Sequence, residues 1–188
     1  MRRIDKTRIL STKYKDWVDQ RDHDNLDHPE KSKYRLDVVM NLFYCQEGVC
    51  AYTEIPLCPH DLLDEQKWKN GRYKGKKGKI DKFGSLEHFD PSLKKKKSWK
   101  WENLFMVHTD INSKKSDAPV DEILKPDLPS YDPFKLLAYS DKTHRFAPSP
   151  DIADETLRQR IDRMIDVLQL NHGMIRDERI NFFALVQC

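Results

Sequence analysis

No stretch of this 188-residue sequence approaches the roughly 18 consecutive apolar positions that a membrane-crossing helix requires, which excludes a helical span. The opening residues, MRRIDKTRIL, lack the apolar segment of a secretory leader. Cysteine is scarce, with only Cys45, Cys50, Cys58 and Cys188. Together these features predict a reducing, cytoplasmic setting and exclude a disulfide framework, leaving buried thiols or a metal site as uses for the cysteines. No internal repeat is present, so a repeat array is excluded as well. Hydrophobic residues are only 38% of the chain against 35% charged, yet the length suffices for one domain with a real core.

Acidic residues are nearly missing from one region. Between Lys67 and Lys100 a dense set of lysines, with Arg72, is opposed only by Asp81, Glu87 and Asp90. The net charge of +3 implies nothing alone, but the positive field is concentrated here and the remainder is net acidic.

TKYKDWVDQR predicts a short helix with Tyr14 and Trp17 on one side, followed by a loop broken at Pro29. Leu36, Val39, Met40 and Phe43 follow helical spacing and end near Gly48. VCAYTEIPLC reads as a strand or tight hairpin before Pro56. Asn70-Gly71 signals a turn within a lysine- and glycine-rich hairpin or loop. SLEHF is a strand candidate, WENLFMVH follows with apolar and aromatic residues, and DINSKKSD begins a polar helix or turn. Residues 116–134 hold four prolines and predict an irregular connection. FKLLAYSDKTHRFAPSP predicts two short strands around a polar turn. Leu157, Ile161, Met164, Ile165 and Leu168 form a clear helical stripe, with Asp151 or Asp154 as its N-cap, and a second helical pattern runs on from Met174.

Glu87 and His88 supply a carboxylate and a base in succession. Phosphodiester hydrolysis needs a proton acceptor of near-neutral pKa, which suits histidine, and a cation held by hard oxygen ligands. Adjacent strand residues point to opposite faces, so both serve one site only if the backbone bends there. Taken alone the pair reads more readily as surface; Asn103, Asn112 and the flanking apolar strands shift the balance toward a site.

LEHF followed by WENLFMVHTDINSKKSD resembles the HNH endonucleases, whose fold is the ββα-metal unit. The resemblance implies His88 as general base, Asn103 as the catalytic-motif residue that supports the loop holding it, and Glu87 and Asn112 as ligands of Mg²⁺ or Mn²⁺. It also places Lys115 near phosphate. MNLFYCQEGVCAYTE, EHFDP, WENLF, INSKKSD and IDVLQLNHGMIRDER occur in an order similar to that of the HNH nuclease subunit of Septu-type and retron-associated anti-phage systems, over about residues 30–185. That implies an ABC/SMC-like ATPase partner. Asp90 is a further residue that could help bind metal.

The chain departs from that family where relatives carry two Cys-x-x-Cys pairs around structural zinc. Here those stretches read Cys50-Ala51-Tyr52-Thr53 and His108-Thr109-Asp110-Ile111. Cys50, Cys58, His60 and His108 could supply an improvised four-ligand site, but the spacing is not standard. The expectation is instead that Thr53, Ile111 and their neighbours pack where zinc would sit.

The resulting expectation is an α+β fold over residues 1–188. It has an HNH core at about 45–118 flanked by N- and C-terminal helices, with a strand pair and helices at about 130–188. The expected activity is metal-dependent cleavage of DNA, double-stranded in the first instance. Lys94, Lys95, Lys96, Lys97 and Lys115 would contact phosphates without base specificity. The alternative is a catalytically silent HNH-like subunit that binds nucleic acid or docks on an ATPase.

Overall fold

Thr12–His23 form α1, which buries Tyr14 and Val18 and leaves Trp17 half-exposed. These positions, like all of residues 1–75 and 84–186, are described by a computed structural model of the chain. Lys76, Lys77, Lys79 and Lys82 of the basic stretch, and Cys188, lie outside the described residues.

Helix α2, Arg35–Cys45, carries the predicted stripe and buries every residue from Asp37 to Phe43. Gly48 then turns the chain at φ +77°, where an added Cβ would sit 2.6 Å from the Cys58 carbonyl oxygen. Only glycine tolerates that backbone and that approach. VCAYTEIPLC forms a tight turn joined by a single bridge, Val49 to Pro56, rather than a strand pair.

The short strands β1 (Trp68–Lys69) and β2 (Arg72–Tyr73) make an antiparallel hairpin. Asn70 and Gly71 turn it with φ +52° and +69°, as a two-residue primed turn requires. The buried Asp37 carboxylate fastens it to α2, accepting from Arg72 Nε at 2.6 Å and Tyr73 N at 2.8 Å.

Strands β3 (Ser85–His88) and β4 (Leu104–Val107) pair antiparallel, with Glu87 opposite Phe105 and His88 opposite Leu104. Helix α3, Thr109–Lys115, follows β4 after one residue and contacts β3. All four β4 residues are buried. Leu104 and Met106 enter one core with Val38, Val39, Met40, Leu42 and Phe43 of α2, while Phe105 and Val107 enter the other with Tyr52, Phe89 and Ile111. The period-two alternation of a strand thus divides two apolar clusters. The free edge of β4 is covered too: Gln46 exchanges side-chain hydrogen bonds with Met106 N and O, and Ala51 N donates to the same carbonyl.

After an irregular stretch come α4 (Pro133–Leu136) and the antiparallel pair β5 (Leu137–Ser140) and β6 (Arg145–Pro148). Helix α5, Glu155–Val167, begins at Asp154, whose carboxylate accepts from Thr156 N and Leu157 N, so Asp154 rather than Asp151 is the cap. Its Ile161, Met164 and Ile165 fill the second core. Helix α6, Gly173–Val186, packs Ile175 into the same cluster. The architecture is therefore α+β, with helices around small antiparallel sheets. No described helix is long and apolar enough to cross a membrane.

Candidate functional site

The strand–strand–helix unit of β3, β4 and α3 brings the predicted residues to one place. Strand β3 ends at His88, and the end is locked by Asn103, just before β4. Phe89 N donates to the Asn103 carbonyl at 2.8 Å. The Asn103 side chain accepts from Asp90 N at 2.7 Å and donates to Asp90 O at 2.9 Å. Asn103 is itself buried. One amide therefore fixes where the strand stops and where the chain beyond His88 turns.

The His88 imidazole lies 2.8 Å from the Ser98 carbonyl through Nε2. A carbonyl can only accept, so Nε2 carries the hydrogen and Nδ1 keeps its lone pair. Burial lowers the His88 pKa; the Ser98 carbonyl offsets part of that, while the nearby Lys94 and Lys115 lower it further. The ring is therefore neutral near pH 7, oriented, and able to accept a proton at Nδ1.

Glu87 is buried, and burial raises its pKa against the opposing pull of Lys115. The Lys115 ammonium reaches Glu87 Oε1 at 2.7 Å, outside hydrogen-bonding angles, and donates to the His88 carbonyl at 3.2 Å. Lys115 and Asn112 are three residues apart on α3 and share its face toward β3.

Glu87, His88 and Asn112 all line one cavity of about 320 Å³, together with Leu86, Lys94 and Asp117. Although Glu87 and His88 alternate in the pairing register, the strand's end lets both reach this space. The donor set is one carboxylate and one amide carbonyl. Among the described residues no group of three or more His, Cys, Asp or Glu side chains could hold a metal. Such a set fits a hard, water-retaining cation whose remaining ligands are waters and substrate oxygens, with the Lys115 ammonium beside Glu87 Oε1 as its competitor.

The lysines divide. Lys94 and Lys95 line an adjoining cavity of about 810 Å³ with His88, Asp90 and Ser98. Lys96 is exposed, and its carbonyl accepts from His28 N at 2.7 Å. Lys97 is paired with Asp22 at 2.7 Å. Lys115, expected at a phosphate, is instead buried against Glu87, because its place on α3 turns it inward. The four candidate zinc residues are not brought together. Cys50 lies in the core with Ile111 and Tyr52, where its Sγ accepts from His108 N at 3.4 Å. Cys58 belongs to the other core, and His60 lines a separate cavity. His108 instead caps α3, its Nδ1 accepting from Asp110 N.

Several supporting residues escape sequence reasoning. Ser98 acts through its carbonyl, which no side-chain pattern reveals. His28 is buried and accepts from Trp99 N at Nδ1, while its Nε2 faces Asp22 at 3.1 Å. Lys6 donates to the carbonyls of Trp101 and Leu104 and pairs with Asp127 at 3.0 Å, burial bringing its pKa down to about 8. Comparison with protein-family models, with curated proteins and with solved structures finds no match to the chain.

Proposed function

We propose that the chain is a metal-dependent endonuclease of the HNH type, with β3, β4 and α3 as its ββα-metal core, and that it hydrolyses phosphodiester bonds in DNA. The observation that carries this reading is a His88 ring held at 2.8 Å by the Ser98 carbonyl, in one cavity with Glu87 and Asn112. His88 Nδ1 takes the proton from the attacking water. Glu87 and Asn112 would hold Mg²⁺ or Mn²⁺, which supplies charge stabilisation at the departing oxygen. Asn103 keeps the chain beyond His88 in register, and Lys94 and Lys95 hold neighbouring phosphates. The order of short motifs along the chain supports a place in an anti-phage complex with an ABC/SMC-like ATPase.

The Lys115–Glu87 contact favours a second reading, a silent HNH-like subunit that binds nucleic acid or docks on the ATPase, because the acidic ligand already has a cation beside it. Supercoiled plasmid incubated with the protein and Mg²⁺ or Mn²⁺ separates the two. The nuclease reading expects nicked or linear product, its loss with EDTA, and an inert His88→Ala variant that still binds DNA. Equal binding by both proteins with no cleavage by either, even with the ATPase added, would favour the silent subunit.

A further inference from the structure

Lys115 is 1% exposed and Glu87 3%, so neither charge is solvated by bulk water. Burying an unpaired carboxylate or ammonium is costly, and each makes the other tolerable. The same ammonium also donates to the His88 backbone carbonyl at 3.2 Å. One side chain from α3 therefore grips two successive residues of β3. The charged groups lining the site cavity are Glu87 and Asp117 against Lys94, one negative charge in surplus. Lys115 lies behind that lining, 2.7 Å from Glu87, and its charge cancels the surplus. A divalent cation entering this cavity meets one carboxylate whose nearer oxygen already faces an ammonium.

We infer that Lys115 is a positioning residue that holds Glu87 in place without metal and makes cation binding conditional on the substrate's phosphate. Building on the nuclease reading, it assigns a cause to the order of binding. With Lys115 cancelling the surplus negative charge of the lining, the free protein holds a divalent ion weakly. A phosphodiester brings the missing negative charge and further oxygen ligands, and Mg²⁺-like ions are commonly held by one or two carboxylates together with substrate phosphate. Lys115 then keeps Glu87 aimed while the ion is absent, and limits idle loading of the site.

The test is an electron paramagnetic resonance titration of Mn²⁺ into the full-length His88→Ala protein, which prevents cleavage, with and without a short DNA duplex. Mn²⁺ binding should tighten by about tenfold or more with duplex present, beyond what protein and duplex bind separately, as expected for adding a nearby opposite charge. Adding Lys115→Met should tighten Mn²⁺ binding to the free protein by a similar factor and shrink the effect of duplex. Glu87→Gln should remove the protein-dependent binding in every state. Tight Mn²⁺ binding without duplex that Glu87→Gln abolishes would overturn the role of Lys115 and leave the nuclease reading standing. An unchanged affinity in folded Lys115→Met would overturn it too. If Lys115→Met does not fold, Lys115→Gln, which removes the charge but keeps a donor for the His88 carbonyl, is read the same way. If no Mn²⁺ binding depends on Glu87 in any state, the metal-nuclease reading itself falls, and this inference with it.

Discussion

Ser98 holds the His88 imidazole by its backbone, so the position of that backbone matters as much as His88 itself. Its neighbour Trp99 is fastened from the 22–29 segment and from α1. His28 accepts from Trp99 N, Pro29 O accepts from Trp99 Nε1 at 2.8 Å, and the Tyr14 hydroxyl donates to the Trp99 carbonyl. Burial lowers the His28 pKa, partly offset by Asp22. Protonation at Nδ1 would also forfeit the Trp99 hydrogen bond. Since the folded-state pKa lies below the unfolded value of about 6.5, the unfolded chain binds more protons as pH falls. The stabilisation is complete above that value and is lost as pH drops through the folded pKa. Thermal midpoints measured from pH 8 down to about 5.5 should therefore decline below about pH 6.5. His28→Gln should flatten the slope without abolishing it, because His88 is shifted the same way. A slope unchanged in His28→Gln would refute the role of this histidine. At this scale Glu87, His88, Asn103 and Asn112 were legible as residue types suited to one chemistry. Lys115 was expected at a phosphate and is buried instead, because its environment depends on how α3 meets β3.

Among the elements, the helical stripes were the most legible: α2 and α5 form where their periodicity places them and bury its residues except Leu36 and Leu157, which are half-buried. SLEHF and the segment 137–148 also form the expected strands. VCAYTEIPLC was ambiguous for a physical reason. Its apolar residues are buried by two cores meeting around a tight turn, and alternation cannot distinguish that from a strand. Asn103 could be placed beside the strand end only through its two hydrogen bonds to Asp90, which link positions 13 apart. Asn103→Ala removes both and leaves the half-buried Asp90 amide without its acceptor. A loss of about 1–3 kcal/mol is expected in urea denaturation. Asn103→Asp keeps the acceptor but buries a carboxylate against the Asp90 carbonyl, so it should be no more stable than alanine. An alanine variant as stable as wild type would mean that the strand end is held elsewhere.

For the molecule as a whole, the concentration of lysine was plain in the sequence, but its division of labour was not. Lys94 and Lys95 face cavities that contain His88, while Lys97 is spent on Asp22. If DNA is the substrate, Lys94→Ala with Lys95→Ala should weaken binding across sequences and reduce the slope of log affinity against log salt by about two. Lys97→Ala should leave that slope nearly unchanged. Equal effects of the two changes, measured by fluorescence anisotropy at several salt concentrations, would show that the loop acts as diffuse charge.

Strand β4 has a consequence at this largest scale. It is a party wall between two rooms, with Leu104 and Met106 furnishing one, Phe105 and Val107 the other, and β3 with its His88 hung along its edge. Taking that wall down to loosen His88 would open both rooms to water at once. Among the described residues the support of His88 and the two cores therefore stand or fall together, and on the nuclease reading control falls to what enters the cavity rather than to melting of its frame.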